Sequence, residues 1–485
     1  MASNGSAKGA EPLDFTKFQN VINGKLTDTK ETRRTVNPST LEELYPVPVS
    51  TQEDIDEAIE AAKKAHESWS NVPWTERQQT VKDYADALEA LSGDFAKQLV
   101  TEQGKPLAFA QAEVADAVKW LRQFCEFPEP EDVIQDDDKK KIITRYTPLG
   151  VAVGIVPWNF PIQLSAGKIG AALITGNAFI LKPSPFTPYG GLKLAELAQR
   201  FFPPGVFQAL SGDDNLGPWL TSHPGVDKVS FTGSTATGKR VMESCAKTLK
   251  RVTLELGGND PAIICADVNP AEVAPAVAFM ALANSGQICI AIKRIFIHES
   301  VYDDVVKAMV EFVKSAKVGD GFADGTMLGP INNKLQFDRV KNLLADIEKT
   351  QLSIATGTTK TEEGKGYFIQ PILIDNPPED SRIVVEEPFG PVFPVLKWSD
   401  EEDVIKRANN TDMGLGASVW TRNPQEAERI GRRLKAGNVW INAHGEVQPN
   451  APFGGHKQSG IGYEWGYGGL KAYCNVQSIY LKRSA

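Results

Sequence analysis

Two short stretches of the chain carry the side chains needed to oxidise a carbonyl group through a covalent thioester. The stretch GQICIA, residues 286–291, places Cys289 in a loop that can expose a thiol. The stretch LELGG, residues 254–258, places Glu255 beside two glycines, where the backbone can approach a ligand. A thiol becomes a nucleophile once a base takes its proton, and a carboxylate can serve as that base. Cys289 and Glu255 are therefore the candidate nucleophile and general base.

The chain has five cysteines, and a cysteine taken alone is more often inert packing than a nucleophile. Cys265 lies in an apolar, strand-like run and Cys245 in an amphipathic run, so both are interpreted as core residues. Nothing beside Cys125 or Cys474 would activate a thiol. No pair has C-x-x-C spacing and the histidines lack metal-ligand spacing, so we predict neither a disulfide framework nor a metal site.

Two further motifs could bind a nucleotide. FTGSTATG, residues 231–238, follows a predicted strand and opens a helix, so its backbone N–H groups can hold a phosphate. An ordinary strand–turn–helix has the same pattern, and the motif is not the standard G-x-G-x-x-G. KPS, residues 182–184, would place Lys182 at the carboxyl edge of a sheet, where open α/β sheets bind ligands. An exposed surface lysine is the alternative.

Three loops complete the set of motifs. PWNFP, residues 157–161, holds Asn159 between prolines, and its amide can donate to a developing oxyanion or form a structural turn. EEPFGP, residues 386–391, offers carboxylates for a ribose, or is simply an acidic loop. PFGGHKQSG, residues 452–460, is a glycine-rich loop in which His456 is interpreted as a loop residue.

Composition narrows the class of protein. A chain of 485 residues, 41% hydrophobic and 23% charged, is typical of a soluble globular protein with two or three domains. The net charge of −9 argues against a nucleic-acid partner. No apolar run reaches the roughly 18 residues of a membrane span, and the polar N-terminus is no secretory signal. We therefore expect no membrane partner and predict a cytoplasmic location.

The hydrophobic pattern predicts how the motifs are positioned. Residues 52–126 have helical spacing, and short apolar runs then alternate with helix-like segments, which is typical of parallel βαβ units. The C-terminal run 472–481 is predicted to pair with the segment near 138–147 in an arm that contacts another subunit. The apolar runs are 151–156, 178–181, 206–210, 228–231 and 251–254, followed by 261–265, 294–298, 392–396, 418–421 and 437–441.

Taken in order, PWNFP, KPS, FTGSTATG, LELGG, GQICIA, EEPFGPV and PFGGHKQSG resemble the aldehyde dehydrogenase superfamily, over about residues 20–481. The resemblance implies NAD(P)-dependent oxidation of a small-molecule aldehyde to a carboxylic acid, and an α/β fold in three parts. The implied parts are a Rossmann-like cofactor domain (1–127 and 147–256, with 1–15 as a flexible tail), an α/β catalytic domain (257–467) and a small β arm for bridging and oligomerisation (128–146 and 468–485).

The resemblance also implies roles for single residues. Cys289 would attack the aldehyde, Asn159 and the Cys289 backbone N–H would hold the oxyanion, and Glu255 would activate the thiol, the hydrolytic water or both. The implied cofactor-binding residues are Val156, Pro157, Trp158, Lys182, Ser184, Phe231, Gly233, Ser234, Leu256, Glu387 and Phe389. The implied substrate-binding residues are Phe160, Gln163, Gly167, Ile288, Ile290, Val447 and Phe453.

Within the cofactor set, Lys182 would bind the adenosine ribose, Ser234 the pyrophosphate and Glu387 the nicotinamide ribose. Three residues after Lys182, many NAD-preferring members have an acid that this chain replaces with Pro185. NAD is still preferred because no arginine takes that place, and NADP is the alternative. Where some members place a bulky aromatic in the substrate tunnel, this chain has Gly167, which predicts a roomier tunnel for a larger or branched aldehyde.

Two other functions compete with this one. A CoA-acylating semialdehyde dehydrogenase would share most motifs, but such members typically lack the glutamate found here at position 255. A catalytically silent binding protein would not need Cys289, Glu255, Asn159 and Lys182 together. The resemblance further implies a homodimer or a homotetramer.

Overall fold

A computed structural model describes residue 9, residues 11–361 and residues 364–483. The predicted α/β class is confirmed: two large sheets with helices on their faces are accompanied by a three-stranded and a two-stranded antiparallel sheet. The α-helices are α1 (Gln52–Trp69), α2 (Trp74–Ala90), α3 (Ser92–Gln103), α4 (Leu107–Phe124), α5 (Pro161–Ile174), α6 (Tyr189–Ala198), α7 (Leu216–Ser222), α8 (Thr235–Ala246), α9 (Pro270–Leu282), α10 (Tyr302–Ser315), α11 (Lys334–Lys349), α12 (Arg382–Val385), α13 (Glu401–Asn409), α14 (Pro424–Gly431) and α15 (Gly466–Lys471).

The strands include one at each predicted apolar run, displaced by at most a few residues. They are β1 (Asn20–Ile22), β2 (Lys25–Thr27), β3 (Thr32–Arg33), β4 (Val47–Pro48), β5 (Glu131–Asp136), β6 (Lys140–Pro148), β7 (Val151–Ile155), β8 (Ala178–Lys182), β9 (Phe207–Ala209), β10 (Lys228–Thr232), β11 (Arg251–Glu255), β12 (Asp260–Ile264), β13 (Ile292–His298), β14 (Ile354–Thr356), β15 (Ile372–Asp375), β16 (Val392–Trp398), β17 (Gly416–Trp420), β18 (Asn438–Ile441), β19 (Gly460–Ile461) and β20 (Cys474–Lys482).

The first sheet has the order β19-β11-β10-β7-β8-β9-β1-β2, and its five central strands are parallel. These strands are buried on both faces because helices cover both. In β8, for example, Phe179 belongs to the apolar cluster of α2 to α6, and the next residue, Ile180, belongs to that of α1, α7 and α8. The second sheet, β14-β15-β16-β13-β12-β17-β18, is parallel apart from its edge strand β14.

The third sheet has the order β20-β6-β5, and β20 pairs with β6 along its whole length, from Cys474 opposite Pro148 to Lys482 opposite Lys140. The predicted pairing of the C-terminal run is therefore confirmed. Strands β1 to β5, β14, β15 and β19 were not predicted. In β5, for example, the charged sequence EDVIQD has no apolar alternation, and the strand forms by pairing with β6.

Two further differences from the sequence-based expectations concern the ends of the predicted domains. Strand β19 lies within the segment predicted as catalytic, yet it pairs with β11 of the first sheet. Residues 11–15 do not form a free tail, because the Phe15 ring packs edge-on against Phe95 with ring centroids 5.3 Å apart. Residues 1–8 and 10 lie outside the described residues. In the part of the chain that the structure describes, no helix is long and apolar enough to cross a bilayer.

Candidate active site

Two adjoining cavities lie where the first sheet faces the second, at the carboxyl ends of β7, β10 and β11. The outer cleft has a volume of about 500 Å³ and the inner cavity a volume of about 230 Å³. Asn159, Thr232, Leu256 and Cys289 line both of them. A molecule in the cleft and another in the inner cavity would therefore meet at Cys289.

A strained loop presents Cys289 at this junction. Asn284, Ser285 and Gly286 have positive φ angles of 51°, 57° and 73°. Backbone of this kind costs about 1–3 kcal/mol for each non-glycine residue and persists only where surrounding contacts hold it. Only glycine fits at 286, since a Cβ there would lie 2.1 Å from the carbonyl oxygen of Gly390. The loop is held in turn by Ser285 Oγ, which donates to Gly329 O at 2.7 Å.

Burial sets the protonation of both candidate catalytic groups. It raises the pKa of the Cys289 thiol to about 12, although the Lys293 ammonium acts in the opposite direction. Burial also raises the pKa of Glu255 well above 4.5; Glu464 adds to this shift and Lys168 opposes it. Neither carboxyl oxygen of Glu255 has a hydrogen-bond partner. The thiol therefore needs a base, and Glu255 becomes one only after losing a proton.

A buried charged cluster lies behind Glu255. Lys168 Nζ donates to Ser230 Oγ, Thr232 Oγ1 and Glu464 Oε1, each at 2.9 Å, and Ser230 also donates to Glu464. The sequence-based search missed Lys168 and Glu464. The available signal was that Lys168 is the one charged residue in the apolar helix α5, which is where a buried charge needs a partner.

The side-chain amide of Asn159 lies against the cysteine loop. Its Nδ2 donates to Gln287 O at 3.0 Å, and an amide nitrogen has a second N–H for another acceptor. Asn159 Oδ1 has no hydrogen-bond partner. The amide therefore retains one donor at the junction of the cavities, as the predicted oxyanion contact requires.

A buried ion pair fixes the backbone of this turn. Lys105 Nζ is paired with Glu113 and donates to Asn159 O at 2.8 Å. Glu113 Oε1 accepts from the backbone N–H groups of Ile162 and Gln163, at 2.9 and 3.3 Å, in the first turn of α5. One pair of side chains thus holds both the turn that carries Asn159 and the helix that follows it. Neither Lys105 nor Glu113 belongs to a motif identified from the sequence.

The outer cleft brings together most of the predicted cofactor residues. Ser234 caps α8, with its hydroxyl accepting from Thr237 N at 3.3 Å, and the cleft is lined by the first residues of that helix. Trp158 and Phe389 face each other edge-to-face across 5.4 Å. The predicted residues that line the cleft are Pro157, Trp158, Gly233, Ser234, Leu256, Glu387 and Phe389.

Glu387 lies at the end of the cleft nearest the cysteine loop. Burial raises the pKa of Glu387, while the Lys293 ammonium, 3.1 Å from its Oε1, lowers it. Lys293 Nζ also donates to Cys289 O at 2.5 Å and so links the carboxylate to the loop. The cleft fits a dinucleotide: the helix N-terminus suits its phosphates, the two aromatic rings suit its planar ring, and the buried carboxylate suits its ribose hydroxyl groups.

Among the described residues, no group of three or more His, Cys, Asp or Glu side chains could hold a metal ion.

Val156, Lys182, Ser184 and Phe231 do not line the cleft. Val156 and Phe231 are buried in apolar clusters. Lys182 is buried at the end of β8, and its Nζ donates to Pro183 O at 3.2 Å. Burial lowers the pKa of Lys182 to about 8. Arg33 acts in the same direction, whereas Asp213 and Asp214 raise that pKa, so charges of both signs lie around this lysine.

Six of the seven predicted substrate residues line the inner cavity. The exception is Gly167, and the expectation that it widens the tunnel is wrong. A Cβ on Gly167 would lie 2.5 Å from Trp465 Nε1, because the indole occupies the space that a larger side chain would need. Trp465 itself lines the cavity. The six residues are Phe160, Gln163, Ile288, Ile290, Val447 and Phe453.

Comparison with known proteins connects this geometry to one family. The model of the aldehyde dehydrogenase family matches residues 26–479. A putative aldehyde dehydrogenase, FUS7 of Gibberella fujikuroi, is 42% identical over 469 residues, covering 97% of this chain and 100% of the relative. Retinaldehyde dehydrogenase 3 of Mus musculus is 38% identical, covering 97% and 93%.

Solved structures of other proteins match the fold of this chain. The NAD+ complex of an aldehyde dehydrogenase from Bacillus cereus matches with a TM-score of 0.94 at 36% identity, covering 100% of this chain and 99% of that chain. An NADP-dependent enzyme of E. coli matches with a TM-score of 0.93 at 33% identity, covering 97% and 99%.

The buried ion pair predicts separate effects on stability and turnover. Lys105→Met leaves Glu113 unpaired and should lower the free energy of unfolding by about 3–5 kcal/mol. Lys105→Met combined with Glu113→Gln removes both charges while Gln keeps an acceptor for the helix N–H groups, so most of that stability should return. The turn at Asn159 still lacks its donor, so kcat should stay about 10- to 100-fold low. Denaturant unfolding and steady-state kinetics measure the two effects, and recovery of both would contradict the role of Lys105.

Proposed function

Because the chain belongs to the aldehyde dehydrogenase family, we propose that it oxidises an aldehyde to a carboxylic acid with a nicotinamide cofactor, through a thioester on Cys289. The observation that carries this proposal is the position of Cys289 at the junction of the two cavities, with Glu255 lining the inner one. The cleft would hold the cofactor and the inner cavity the aldehyde.

The reaction begins with proton transfer from Cys289 to the ionised Glu255. The thiolate then attacks the carbonyl carbon, and the free N–H of Asn159 Nδ2 and the Cys289 backbone N–H stabilise the negative charge on oxygen. The cofactor, when bound, supplies the acceptor for the hydride that leaves this carbon. Glu255 releases the thiol proton to solvent and then deprotonates a water molecule. The hydroxide attacks the thioester carbon, the acid is released, and the thiolate that leaves regains a proton from Glu255.

The cofactor we propose is NAD, with NADP as the alternative. Ser234 and the first turn of α8 would bind the pyrophosphate, Glu387 the nicotinamide ribose, and Trp158 and Phe389 the ring. Asp213 and Asp214 near Lys182 favour a ribose hydroxyl over a 2′-phosphate, while Arg33 favours the phosphate. Pro185, three residues after Lys182, leaves no arginine at that position to bind a 2′-phosphate, which supports NAD. Relatives of both kinds exist, one in complex with NAD+ and one that is NADP-dependent.

Two alternatives are less well supported. A CoA-acylating enzyme does not need a base for hydrolysis, whereas Glu255 is kept here in a buried position. Its semialdehyde would also carry a carboxylate, and the described residues that line the inner cavity include no lysine or arginine to bind it. A silent binding protein would gain nothing from the strained loop that presents Cys289.

We also propose that the arm joins subunits into a homodimer or homotetramer. Strand β20 is an edge strand with an exposed face that includes Val476 and Tyr480, exposed by 65% and 72%. Strand β18, the edge of the second sheet, exposes Val439 and Ile441. Unpaired edges of this kind accept another strand, so β20 of one subunit would extend the second sheet of another. The expected cytoplasmic location stays a prediction.

Replacing the nucleophile tests the covalent route. Cys289→Ala should reduce NAD or NADP reduction across a panel of aldehydes to background, because no other group can form the thioester, while cofactor binding is retained. Cys474→Ala, at a buried cysteine in β20, is the matched control and should keep wild-type turnover. Absorbance at the reduced-nicotinamide band measures turnover, and an active Cys289→Ala enzyme would refute the mechanism.

The raised pKa of Glu255 predicts a rise of kcat with pH. The carboxyl is protonated below its raised pKa and cannot act as a base, so activity increases as pH passes upward through that pKa. Glu255→Gln should remove this limb of the pH profile and lower kcat by about 100- to 10,000-fold. A Gln variant that kept the wild-type pH dependence would show that another group is the base.

The arm proposal predicts the oligomeric state. Sedimentation of the wild-type protein should show a dimer or a tetramer, and Val476→Asp with Tyr480→Asp should shift it to smaller species, because charges would be buried at the strand edge. Leu249→Asp, at an exposed apolar residue outside the arm, serves as the control and should leave the oligomeric state unchanged. A monomeric wild-type protein would contradict the proposal.

A further inference from the structure

One side of the inner cavity is built from three aromatic rings, of which the central one contacts the other two. The ring centroid of Trp465 lies 4.2 Å from that of Trp120 and 4.5 Å from that of Phe453. All three residues line the cavity that Cys289 also lines. We refer to Trp120, Phe453 and Trp465 as the aromatic wall.

The central ring of the aromatic wall is held by unusual backbone. Trp465 has a φ of 57°, which a bulky residue adopts only when its surroundings impose it. Gly466 follows with a φ of 59°, and a Cβ there would lie 2.7 Å from the backbone of Ala451. Gly167 makes the room for the indole on the other side. Two glycines and a strained peptide therefore serve to place one ring in the cavity.

The charges around the cavity restrict what the wall can accept. The ionisable lining groups other than Cys289 are Asp116, Glu255 and Glu464, and lysine and arginine are absent from the described lining. An aldehyde with an anionic tail would be repelled. A cage for a quaternary ammonium group needs a gap between its rings, but here the Trp465 ring lies between the other two and contacts both. The cavity is therefore suited to an uncharged molecule.

The size of the inner cavity suits a single ring. A dry cavity of about 150 Å³ holds benzene, so a volume of about 230 Å³ has room for one six-membered ring with an aldehyde group. A flat ring gains from offset or edge-to-face contact with aromatic neighbours, and a saturated ring of the same size does not.

We propose that the aromatic wall selects uncharged aryl aldehydes, whose ring packs against Trp465 while the carbonyl carbon faces Cys289. This inference rests on the proposed function and names its substrate class. It also replaces the sequence-based expectation of a roomier tunnel, because the space left by Gly167 is filled by Trp465.

The test compares kcat/KM of the wild-type enzyme for benzaldehyde and for cyclohexanecarbaldehyde, which has a saturated ring of similar size. Aromatic contact should favour benzaldehyde by about 2- to 10-fold. Succinic semialdehyde and trimethylammonioacetaldehyde, which carry negative and positive charge, should both be poorer substrates than benzaldehyde.

Substitutions at Trp465 then show whether the aromatic wall causes the preference for benzaldehyde. Trp465→Leu should lower the benzaldehyde-to-cyclohexanecarbaldehyde ratio of kcat/KM by about 2- to 10-fold, and Trp465→Phe should restore part of it. Phe322→Leu, at an exposed ring outside the cavity, is the matched control and should keep the wild-type ratio. If Trp465→Leu does not fold, the wild-type ratio alone decides.

The outcomes separate the two proposals. Turnover of all four aldehydes with no preference for the aryl compound, or with preference for a charged one, would overturn the aromatic-wall proposal and leave the proposed function standing. A ratio unchanged in folded Trp465→Leu would also overturn it. Absence of turnover with every aldehyde and both cofactors would overturn the proposed function and this inference with it.

Discussion

Removal of ionisable side chains from water is the constraint on which the site depends. A buried carboxyl or ammonium group must either find a partner or give up its charge. Lys105 and Glu113 solve this problem by pairing, and the pair then fixes the turn that carries Asn159. Glu255 is left without a partner and takes up a proton more readily. The same desolvation therefore produces a rigid scaffold in one place and a proton acceptor with a shifted pKa in the other.

The arrangement of the sheets explains why these groups meet. Parallel strands release their loops at one edge, so the turns after β7, β10 and β11 converge, and the second sheet supplies the cysteine loop from the opposite side. Strand β19 follows β18 of the second sheet along the chain, yet it pairs with β11 of the first sheet. That pairing brings Glu464 and Trp465 from the C-terminal part of the chain to the inner cavity. There Glu464 joins the charged cluster and Trp465 belongs to the aromatic wall.

Local signals were enough to predict most of the buried parallel strands and the residues at the junction of the cavities. Buried parallel strands are continuous apolar runs, and Cys289, Glu255 and Asn159 stand in short motifs of constrained backbone, so neighbouring residues identify them. Features that depend on distant contacts were missed or misjudged. Gly167 by itself predicts open space, because the ring that fills it is far away in the sequence. Strand β5 has no apolar pattern of its own, and Lys105 and Glu113 matter only through a turn that neither of them adjoins.

Direct observation of the thioester is the most direct test of the mechanism. The enzyme would be mixed with cofactor and benzaldehyde, quenched in acid during turnover, digested and examined by mass spectrometry. The account predicts a benzoyl group on the peptide that contains Cys289 in the wild-type enzyme, and slower formation of the same group in Glu255→Gln, which lacks the base that activates the thiol. Turnover without an acyl group on Cys289 in either protein, or with the acyl group on another residue, would contradict it.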